Sequence, residues 1–585
     1  MFLRKTRRHK DGKTHEYYSV VENRRVAGGR HIQHTLLYLG EISDGQKKSW
    51  NRAIDVVEGN RTKQMTLFPE GTGADQAPGV TANVRLDQLA LDRPRQWGAC
   101  WLACELWETL GLRSFWHERL GTGYRGVHWE RVLLLLSAYR LIDPGSEWHL
   151  HRIWFDKSAM GDLLGEGFRI AGKDRLYRCH DRLLEYKDDL FGHLKRRWEE
   201  LFEARHDILL YDLTSTYFES PPPDDPEDKR RHGYSRDKRS DCVQVVIALV
   251  VTPDGLPLSY EVLHGNTADS STLKDFLAKI EALHGKARRV WVMDRGIPTE
   301  QTLEEMRKTG VQYLVGTPKG RLTKLEGKLA GQAWEQARDQ VQVRLVESEG
   351  ETYIHARSQP RAAKEHAMRQ RRLRKLLDGL GQLREASRPM TRDNLLLKVG
   401  GLKKEAGRAY HLLKITLPKS GEAISPETFH WKLDMDKYRK TWRREGSYLL
   451  RTNLPVDNAG STWEHYLRLT EIEEAFRNLK GDLAVRPVHH SAPTRIEAHI
   501  FVSFLAYCLH VTLRMRCKRF APGLTPRSVL EQLSGMQMVD VLIPTTDGRM
   551  VKMSRYTRPD KAQQLLLSQL QLTLPKQPPP EISQS

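Results

Sequence analysis

The sequence predicts a mixed α/β fold, and three observations along the chain predict it. An apolar run that ends at Asp212 predicts a first strand closed by an acidic residue. The apolar runs of residues 243–263 are divided by Pro253-Asp254-Gly255, which predicts a β-hairpin. A helix near residues 271–283 is then followed by a second buried strand, which ends at Asp294. Strand, hairpin, helix and strand, with an acid at the end of the first and last strands, is the order of a ribonuclease H-like core.

The remaining chain is predicted to form separate regions around this α/β core. Short alternating runs near the N-terminus predict a small sheet, and helical periodicity replaces them near residue 82. The predicted domains are a small N-terminal β region that could contact DNA (1–67), a Gly- and Pro-rich linker (68–81), a helical domain (82–204), the ribonuclease H-like core (205–300 and 455–520), a mainly β insertion with a basic helix (301–454) and a C-terminal region with a disordered Pro-rich tail (521–585).

Composition favours a soluble protein that binds a polyanion. The 585 residues include 94 basic and 74 acidic side chains, a net charge of +20. The positive electrostatic field of such a charge favours binding to nucleic acid first and to an anionic membrane second. The six cysteines form no CxxC pair, which suits a reducing compartment. The apolar run of residues 500–513 is shorter than the roughly 20 residues that span a bilayer, so we expect a buried helix there.

Residues 466–480 lack Gly and Pro and repeat large apolar residues at helical spacing, which predicts one continuous helix. At about 100° per residue, Tyr466, Glu473 and Lys480 line up on one face of this helix. Arg477 lies close to that line. A carboxylate among such groups can hold a divalent metal ion while its neighbours bind phosphate. Taken alone, the pattern fits an ordinary surface helix with ion pairs better.

Three carboxylates together favour a site for two metal ions. Phosphodiester transfer uses two divalent ions about 3.5–4 Å apart, held by carboxylates that converge from different elements. Asp212 and Asp294 are predicted to end neighbouring strands, and Glu473 to come from a helix across their ends. Either Asp by itself fits a turn or cap equally well. The sequence has no Walker loop, HExxH motif or GxSxG elbow that would indicate another chemistry.

On these residues the chain resembles DDE transposases of bacterial insertion sequences, in the branch with a Tyr-(2)-Arg-(3)-Glu-(6)-Lys signature. The resemblance covers roughly residues 205–515, and the first 60 residues also look like the N-terminal region of such proteins. The motifs that carry it are Tyr211-Asp-Leu-Thr-Ser-Thr-Tyr-Phe-Glu219, Gly265-Asn266 with Asp269, Val292-Met-Asp294-Arg-Gly296, Tyr448-Leu-Leu-Arg-Thr-Asn453 and residues 466–480.

The resemblance implies a cut-and-paste transposase that cleaves and joins DNA at the terminal inverted repeats of its own element. It implies that Asp212, Asp294 and Glu473 bind two Mg²⁺ ions, with Mn²⁺ as a substitute. The implied partners are double-stranded DNA, as inverted repeats and as target, and a second copy of the chain in the synaptic complex. No membrane is implied, and the expected location is the bacterial cytoplasm, on the nucleoid through DNA. Two alternatives stay open: a ribonuclease H-like nuclease without strand transfer, and a non-catalytic DNA-binding protein derived from a transposase.

The resemblance also implies contacts to DNA phosphate near the cut. Tyr466 and Lys480 match the Tyr and Lys of the signature. The signature Arg falls at Leu469, so the chain departs from the pattern there. Either Arg468 or Arg477 supplies that contact, or it is absent. The basic helix of residues 361–385 and the N-terminal arm are further candidates, and each phosphate neutralised adds about −0.9 to the slope of log affinity against log salt.

Overall fold

The computed structural model describes the 585-residue chain except for residues 11–12, 26–30, 60–82, 124–125, 238, 269–272, 285–288, 318, 330–331, 386–389, 487, 489 and 585. The predicted linker (68–81) and the motif residue Asp269 therefore lie outside the described residues. The chain divides into two compact units. Unit 1 consists of Met1–Arg8, His15–Arg289 and Arg468–Ser585, and unit 2 of His9–Thr14 and Val290–Leu467.

The N-terminal region is a three-stranded sheet followed by a helix that the sequence did not predict. Its elements are β1 (Phe2–Lys10), β2 (Lys13–Arg25), β3 (His31–Gly40) and α1 (Asp44–Gly59). Strands β2 and β3 are antiparallel, as expected of a small β region. Helix α1 is anchored in unit 1 by Trp50, whose indole N–H donates to the carbonyl of Pro522 at 2.8 Å.

The next region is mainly helical, as predicted. Its elements are β4 (Ala90–Gln96), α2 (Gly98–Thr109), α3 (Leu112–Leu120), β5 (Thr122–Gly123), β6 (Val127–His128), α4 (Trp129–Ile142), α5 (Glu147–His149), α6 (Phe155–Lys157), α7 (Met160–Leu164), α8 (Lys173–His180) and α9 (Lys187–Phe202). The dense tryptophans of this region are almost all core, and Trp148 is the exposed exception. Ser146 caps α5 by accepting a hydrogen bond from the backbone N–H of His149.

The predicted strand, hairpin and helix follow in unit 1. They are β7 (Ile208–Phe218), β8 (Val243–Val251), β9 (Pro257–His264) and α10 (Leu273–His284). The three strands are antiparallel and adjacent in the order β7-β8-β9. Gly255 has a φ of 81° in the turn between β8 and β9, a conformation that favours glycine.

Asp212 does not end its strand, and that prediction is wrong. It lies opposite Leu249 within β7, which continues to Phe218. The residues after Asp212 are Thr and Ser as well as apolar side chains, and their polarity suggested a loop. They are buried and their backbone stays paired with β8, so the ladder continues.

Unit 2 carries a second run of strands and several helices. Its elements are β10 (Val290–Met293), α11 (Glu300–Lys308), β11 (Gln312–Gly316), α12 (Lys319–Leu329), β12 (Glu335–Arg338), β13 (Val341–Ser348), β14 (Glu351–Ser358), α13 (Gln359–Arg384), α14 (Arg392–Ala406), β15 (Leu413–Thr416), β16 (His430–Leu433), α15 (Met435–Arg444), β17 (Ser447–Thr452) and α16 (Ala459–Leu467). Six strands follow the order β12-β13-β14-β17-β11-β10, with β10 and β11 parallel. Strands β15 and β16 form a separate pair.

The mainly β character expected of residues 301–454 is wrong, because helices α11 to α15 occupy more of this segment than its strands do. Helix α13 is the predicted basic helix, but α14 was not predicted. The two helices bury apolar faces together, with Leu376 and Leu380 in the same core cluster as Leu395 and Val399. That burial offsets the helix-weakening pair Gly400-Gly401 inside α14.

The C-terminal part of unit 1 is ordered to near its end. It contains α17 (Leu469–Lys480), α18 (Pro493–Phe520), α19 (Pro526–Ser534), β18 (Gln537–Pro544), β19 (Arg549–Tyr556), α20 (Lys561–Gln569) and β20 (Glu581–Gln584), and the sheet order is β20-β19-β18-β4. The disorder expected of the tail is wrong. Strand β20 pairs with β19, with Ile582 opposite Val551, and satisfies backbone groups that an edge strand would leave exposed.

Helix α18 is the apolar helix expected near residues 500–513. Among the described residues it is the one helix long and apolar enough to cross a membrane, yet 94% of its most apolar window is buried inside the protein. It packs against α2 and α4 in unit 1. A helix that is apolar on all sides suits the centre of a large domain.

Candidate active site

The helix predicted over residues 466–480 is two helices that meet at Arg468. Helix α16 ends at Leu467 and α17 begins at Leu469. The N–H of Glu471 bonds to the carbonyl of Arg468, three residues back, which interrupts the regular α-helical ladder. The expectation of one helix is therefore wrong, and so is the alignment of Tyr466 with Glu473 on a single helix face. Tyr466 belongs to unit 2, whereas α17 belongs to unit 1.

Helix α17 is held in unit 1 by a buried arginine from α18. One Nη of Arg514 donates to Glu471 at 2.8 Å, and the other donates to the carbonyl of Asp254 in the turn between β8 and β9. A Cβ at Gly255 would overlap the guanidinium of Arg514, so only glycine permits this approach. Arg514 thus fixes α17 relative to the β-hairpin. In the sequence Arg514 is the first of several basic residues at the end of an apolar helix, so nothing there distinguishes it from its neighbours.

Asp212 projects from the face of β7 that α17 covers. Asp212 lies opposite Leu249, and Thr214 lies opposite Ile247. Residues directly opposite one another, or two apart along a strand, project to the same face of a sheet. Thr214, Ile247 and Leu249 line one small cavity with the last turn of α17. Asp212 and α17 therefore share one side of the sheet in unit 1.

Glu473 is exposed on α17 and has no cation within 4 Å among the residues that the structure describes. The neighbouring Glu474 differs, since it lies 3.4 Å from Arg514 and 4.0 Å from Arg477. Of these two adjacent acids, Glu473 is the one whose carboxylate is open to a ligand. The choice of Glu473, made from its spacing to Lys480, stays a prediction.

Asp294 follows β10 directly, as predicted, and is exposed in unit 2. Its Oδ1 accepts the N–H of Arg295 at 2.7 Å and the phenol of Tyr466 at 3.4 Å. Burial, and then the negative charge of Asp294, raise the pKa of Tyr466, so its hydroxyl stays protonated as a donor. Gly316 at the end of β11 packs against this hydroxyl, and a Cβ there would overlap it.

Lys480 lies in an ion network that the sequence did not predict. Its Nζ is 3.1 Å from Oδ1 of Asp237, and Arg486 is 2.5 Å from Oδ2 of the same side chain. Burial lowers the pKa of Lys480, and Asp237 partly offsets that effect. Arg468 and Arg477 are both exposed, so α17 and its N-terminal residue present two accessible cations. Asp237 lies in a loop rich in Lys and Arg, and one acidic residue there does not indicate that it pairs with Lys480.

Comparison with known families identifies the chain. Residues 203–509, more than half of it, match the family model described as transposase DDE domain. The chain belongs to the DDE transposase family. In this transposase, residues 3–66 also match the N-terminal domain of the IS1634 family of transposases. The resemblance to transposases of insertion sequences is therefore confirmed, and no curated protein matches the chain.

The matched span of the transposase includes all three predicted acids and all of α17. Members of such a family act on DNA and typically use divalent metal ions. The donor set fits a hard cation, since Mg²⁺ takes carboxylate oxygens. Both oxygens of Glu473 and Oδ2 of Asp294 have no partner among the described residues. The metal-binding role of the acids stays a prediction.

Proposed function

We propose that the protein is a cut-and-paste transposase of an insertion sequence, with a ribonuclease H-like core in which Asp212, Asp294 and Glu473 bind metal. The observation that carries the proposal is the match of residues 203–509 to the transposase DDE domain. The order of elements supports it: three antiparallel strands, a helix and then the strand before Asp294. The segment of unit 2 that follows Asp294 is the proposed insertion.

The proposed reaction begins at the end of the element. Water attacks the phosphorus, the P–O3′ bond breaks, and a 3′-hydroxyl and a 5′-phosphate result. That hydroxyl then attacks the opposite strand to form a hairpin, which water reopens before the same hydroxyl attacks target DNA. Each step forms one P–O bond and breaks another. Two Mg²⁺ ions, or Mn²⁺ in their place, supply activation of the attacking oxygen and stabilisation of the leaving oxygen when bound.

The chain's own residues bind and orient the DNA in this proposal. Lys480 contacts phosphate near the cut, and either Arg468 or Arg477 supplies the contact of the signature Arg. A net charge of +20 attracts the duplex from a distance. Tyr466 donates its single O–H to Asp294 in the free protein, which orients that carboxylate, and the proposal has this O–H donate to phosphate once DNA is bound. Two copies of the chain bring together the two ends of the element.

The test is a cleavage and joining assay with a supercoiled donor that carries the element ends, in Mg²⁺ or Mn²⁺. The wild type is expected to excise and join the element, and Asp212→Asn, Asp294→Asn and Glu473→Gln are each expected to abolish both steps. Glu474→Gln is the matched control and retains activity. Cleavage without a joined product indicates the nuclease, and unchanged excision in all three acid variants rejects the triad. DNA binding without cleavage by the wild type indicates a non-catalytic protein.

A further inference from the structure

A buried cluster of one glutamate and three histidines lies in unit 1, away from the acids of the proposed triad in the sequence. Glu147 begins α5 and His180 ends α8, while His490 precedes α18 and His499 lies within it. All four side chains are more than 90% buried. The cluster therefore connects the helical region to the segment that follows α17.

One carboxylate oxygen is the centre of this cluster. Oε1 of Glu147 lies 3.2 Å from Nε2 of His180, 3.2 Å from Nε2 of His490 and 3.6 Å from Nδ1 of His499. The ligand atoms of Glu147, His490 and His499 all lie within 4.8 Å of one another. In a tetrahedral zinc site with bonds of about 2.0–2.2 Å, neighbouring ligand atoms are about 3.3 Å apart. The two spacings from Oε1 of Glu147, 3.2 Å to His490 and 3.6 Å to His499, are close to that value.

The hydrogen bonding of His499 leaves its Nδ1 without a hydrogen in the neutral ring. Its Nε2 faces the carbonyl of Val485 at 3.2 Å, so this nitrogen carries the hydrogen. In the neutral ring, Nδ1 is then a bare acceptor, and it is buried without a hydrogen-bond partner while it faces the oxygen of Glu147. Two acceptors that face each other in a buried site are unfavourable unless a cation lies between them.

The surrounding contacts are those that orient metal ligands. Metal-binding histidines commonly donate their second ring N–H to a backbone carbonyl, as His499 does to Val485. The Nε2 of His180 lies within hydrogen-bond distance of Glu147 and positions the carboxylate. The buried guanidinium of Arg140 donates to the carbonyl of Ala484. Two imidazoles and a carboxylate are a donor set that zinc takes, whereas Mg²⁺ prefers oxygen ligands alone.

We propose that Glu147, His490 and His499 bind one zinc ion, which fastens α5 to the segment between α17 and α18. The chain supplies three ligands, and a water molecule would complete the tetrahedron. We assign the ion a structural role because all three ligands are buried, and its ligand set differs from the three carboxylates of the proposed reaction. It holds the chain directly after α17, the helix that carries Glu473. His180 is a positioning residue, which acts through the carboxylate of Glu147.

The test is the zinc content of the full-length protein, measured by mass spectrometry after expression with zinc and dialysis against a weak chelator. About one zinc ion per chain is expected in the wild type. His490→Gln and His499→Gln are expected to lose it, and a glutamine at position 499 still offers an N–H to Val485. His510→Gln is the matched control, since His510 is also buried on α18. Asp294→Asn is expected to retain the zinc, which separates this site from the proposed triad.

A second measurement uses only the wild type, so it does not depend on whether the variants fold. Wild-type protein is stripped of metal and titrated with Co²⁺, and the visible absorption bands of tetrahedral Co²⁺ are expected to saturate at one equivalent and to disappear when Zn²⁺ is added. A wild type that retains no zinc and gives no such bands overturns the proposal. The cluster is then a hydrogen-bonded network whose carboxylate charge is balanced by Arg140. Equal zinc in the wild type and in both glutamine variants overturns it as well.

Discussion

The phenolic oxygen of Tyr466 lies 3.4 Å from Oδ1 of Asp294 within unit 2. At 3.4 Å this hydrogen bond is long, so although its acceptor is charged we assign it about 0.5–1.5 kcal/mol, and its loss corresponds to roughly a tenfold change at most. We expect Tyr466→Phe to lower the cleavage rate by up to about tenfold without unfolding the protein. The measurement is single-turnover cleavage of labelled element ends. Tyr410→Phe, a partly buried tyrosine of the same unit, is the control, and an unchanged rate in Tyr466→Phe would remove the orienting role.

Gly316 gives a steric test of the same contact. A methyl group at this position would overlap the hydroxyl of Tyr466, so Gly316→Ala is expected to lower Tm and to displace the phenol. In the Tyr466→Phe background the overlapping oxygen is absent, and the same substitution is expected to lower Tm less. The measurement is a double-mutant cycle by thermal unfolding. Additive changes in Tm would show that the two residues are not coupled.

Asp237 neutralises two cations that could contact DNA. We expect Asp237→Asn to free Lys480 and Arg486, to tighten DNA binding and to steepen its salt dependence by about 0.9 per phosphate gained. The measurement is DNA affinity at several salt concentrations. Asp241→Asn, whose partner is Arg239, is the control from the same loop. If affinity stays the same and only Tm falls, Lys480 has a structural role.

Only some of the basic residues of helix α13 are candidates for contacts to DNA phosphate. Arg369 is buried and paired with Glu445 at 2.5 Å, so it supports the fold of unit 2. The cations that are exposed without an ion pair among the described residues include Lys364, Arg371, Arg372 and Arg374.

Replacement of these four cations with glutamine is expected to weaken DNA binding and flatten its salt dependence. Replacement of Arg361 and Lys375, which already pair with Glu365 and Glu405, is expected to do much less. Salt titrations of DNA affinity compare the two variants. Equal slopes would make α13 an ordinary solubilising surface.

The ion pair of Glu22 with Lys561 predicts a pH dependence of stability. The hydrogen bond from Lys561 is the main reason that the pKa of Glu22 falls from 4.5 to about 2, against the opposing effect of burial. Because the folded-state pKa is lowered, the stabilisation is present above pH 4.5 and is lost as pH falls toward 2. We expect Lys561→Met to lower Tm at neutral pH and to have less effect near pH 2. A difference in Tm that does not change with pH would contradict this.

Much of the core could be predicted from local pattern. The hairpin around Gly255 and the strand before Asp294 are close to the predicted bounds, because apolar runs and turn residues determine both locally. Asp212 was placed at a strand end because Thr and Ser follow it, and polarity alone cannot show that such residues are buried in a sheet. The helix α14 was missed because its stability comes from packing against α13.

The candidate site, like the core, could be predicted from the sequence only in part. Asp212 and Asp294 were chosen because each was predicted to end a buried strand, and Glu473 because of its spacing to Lys480. The family match covers all three. The break at Arg468 was not predicted, since residues 466–480 contain no Gly or Pro and the turn arises from backbone hydrogen bonds. Arg514 and Asp237 were missed because each acts on residues distant in sequence. The sequence pattern around a single charged residue does not show which distant residue it will contact.

The packing of α18 on α4 has a consequence for synthesis of the chain on the ribosome. The leucine-rich α4 emerges hundreds of residues before α18, its partner in unit 1. Until residue 520 has been made, this surface must be shielded by other means, such as a chaperone. A copy of the gene shortened by a frameshift or premature stop before that point would produce an insoluble fragment rather than a soluble competitor for DNA ends. Loss of the C-terminal third would therefore inactivate the element without leaving an inhibitor behind.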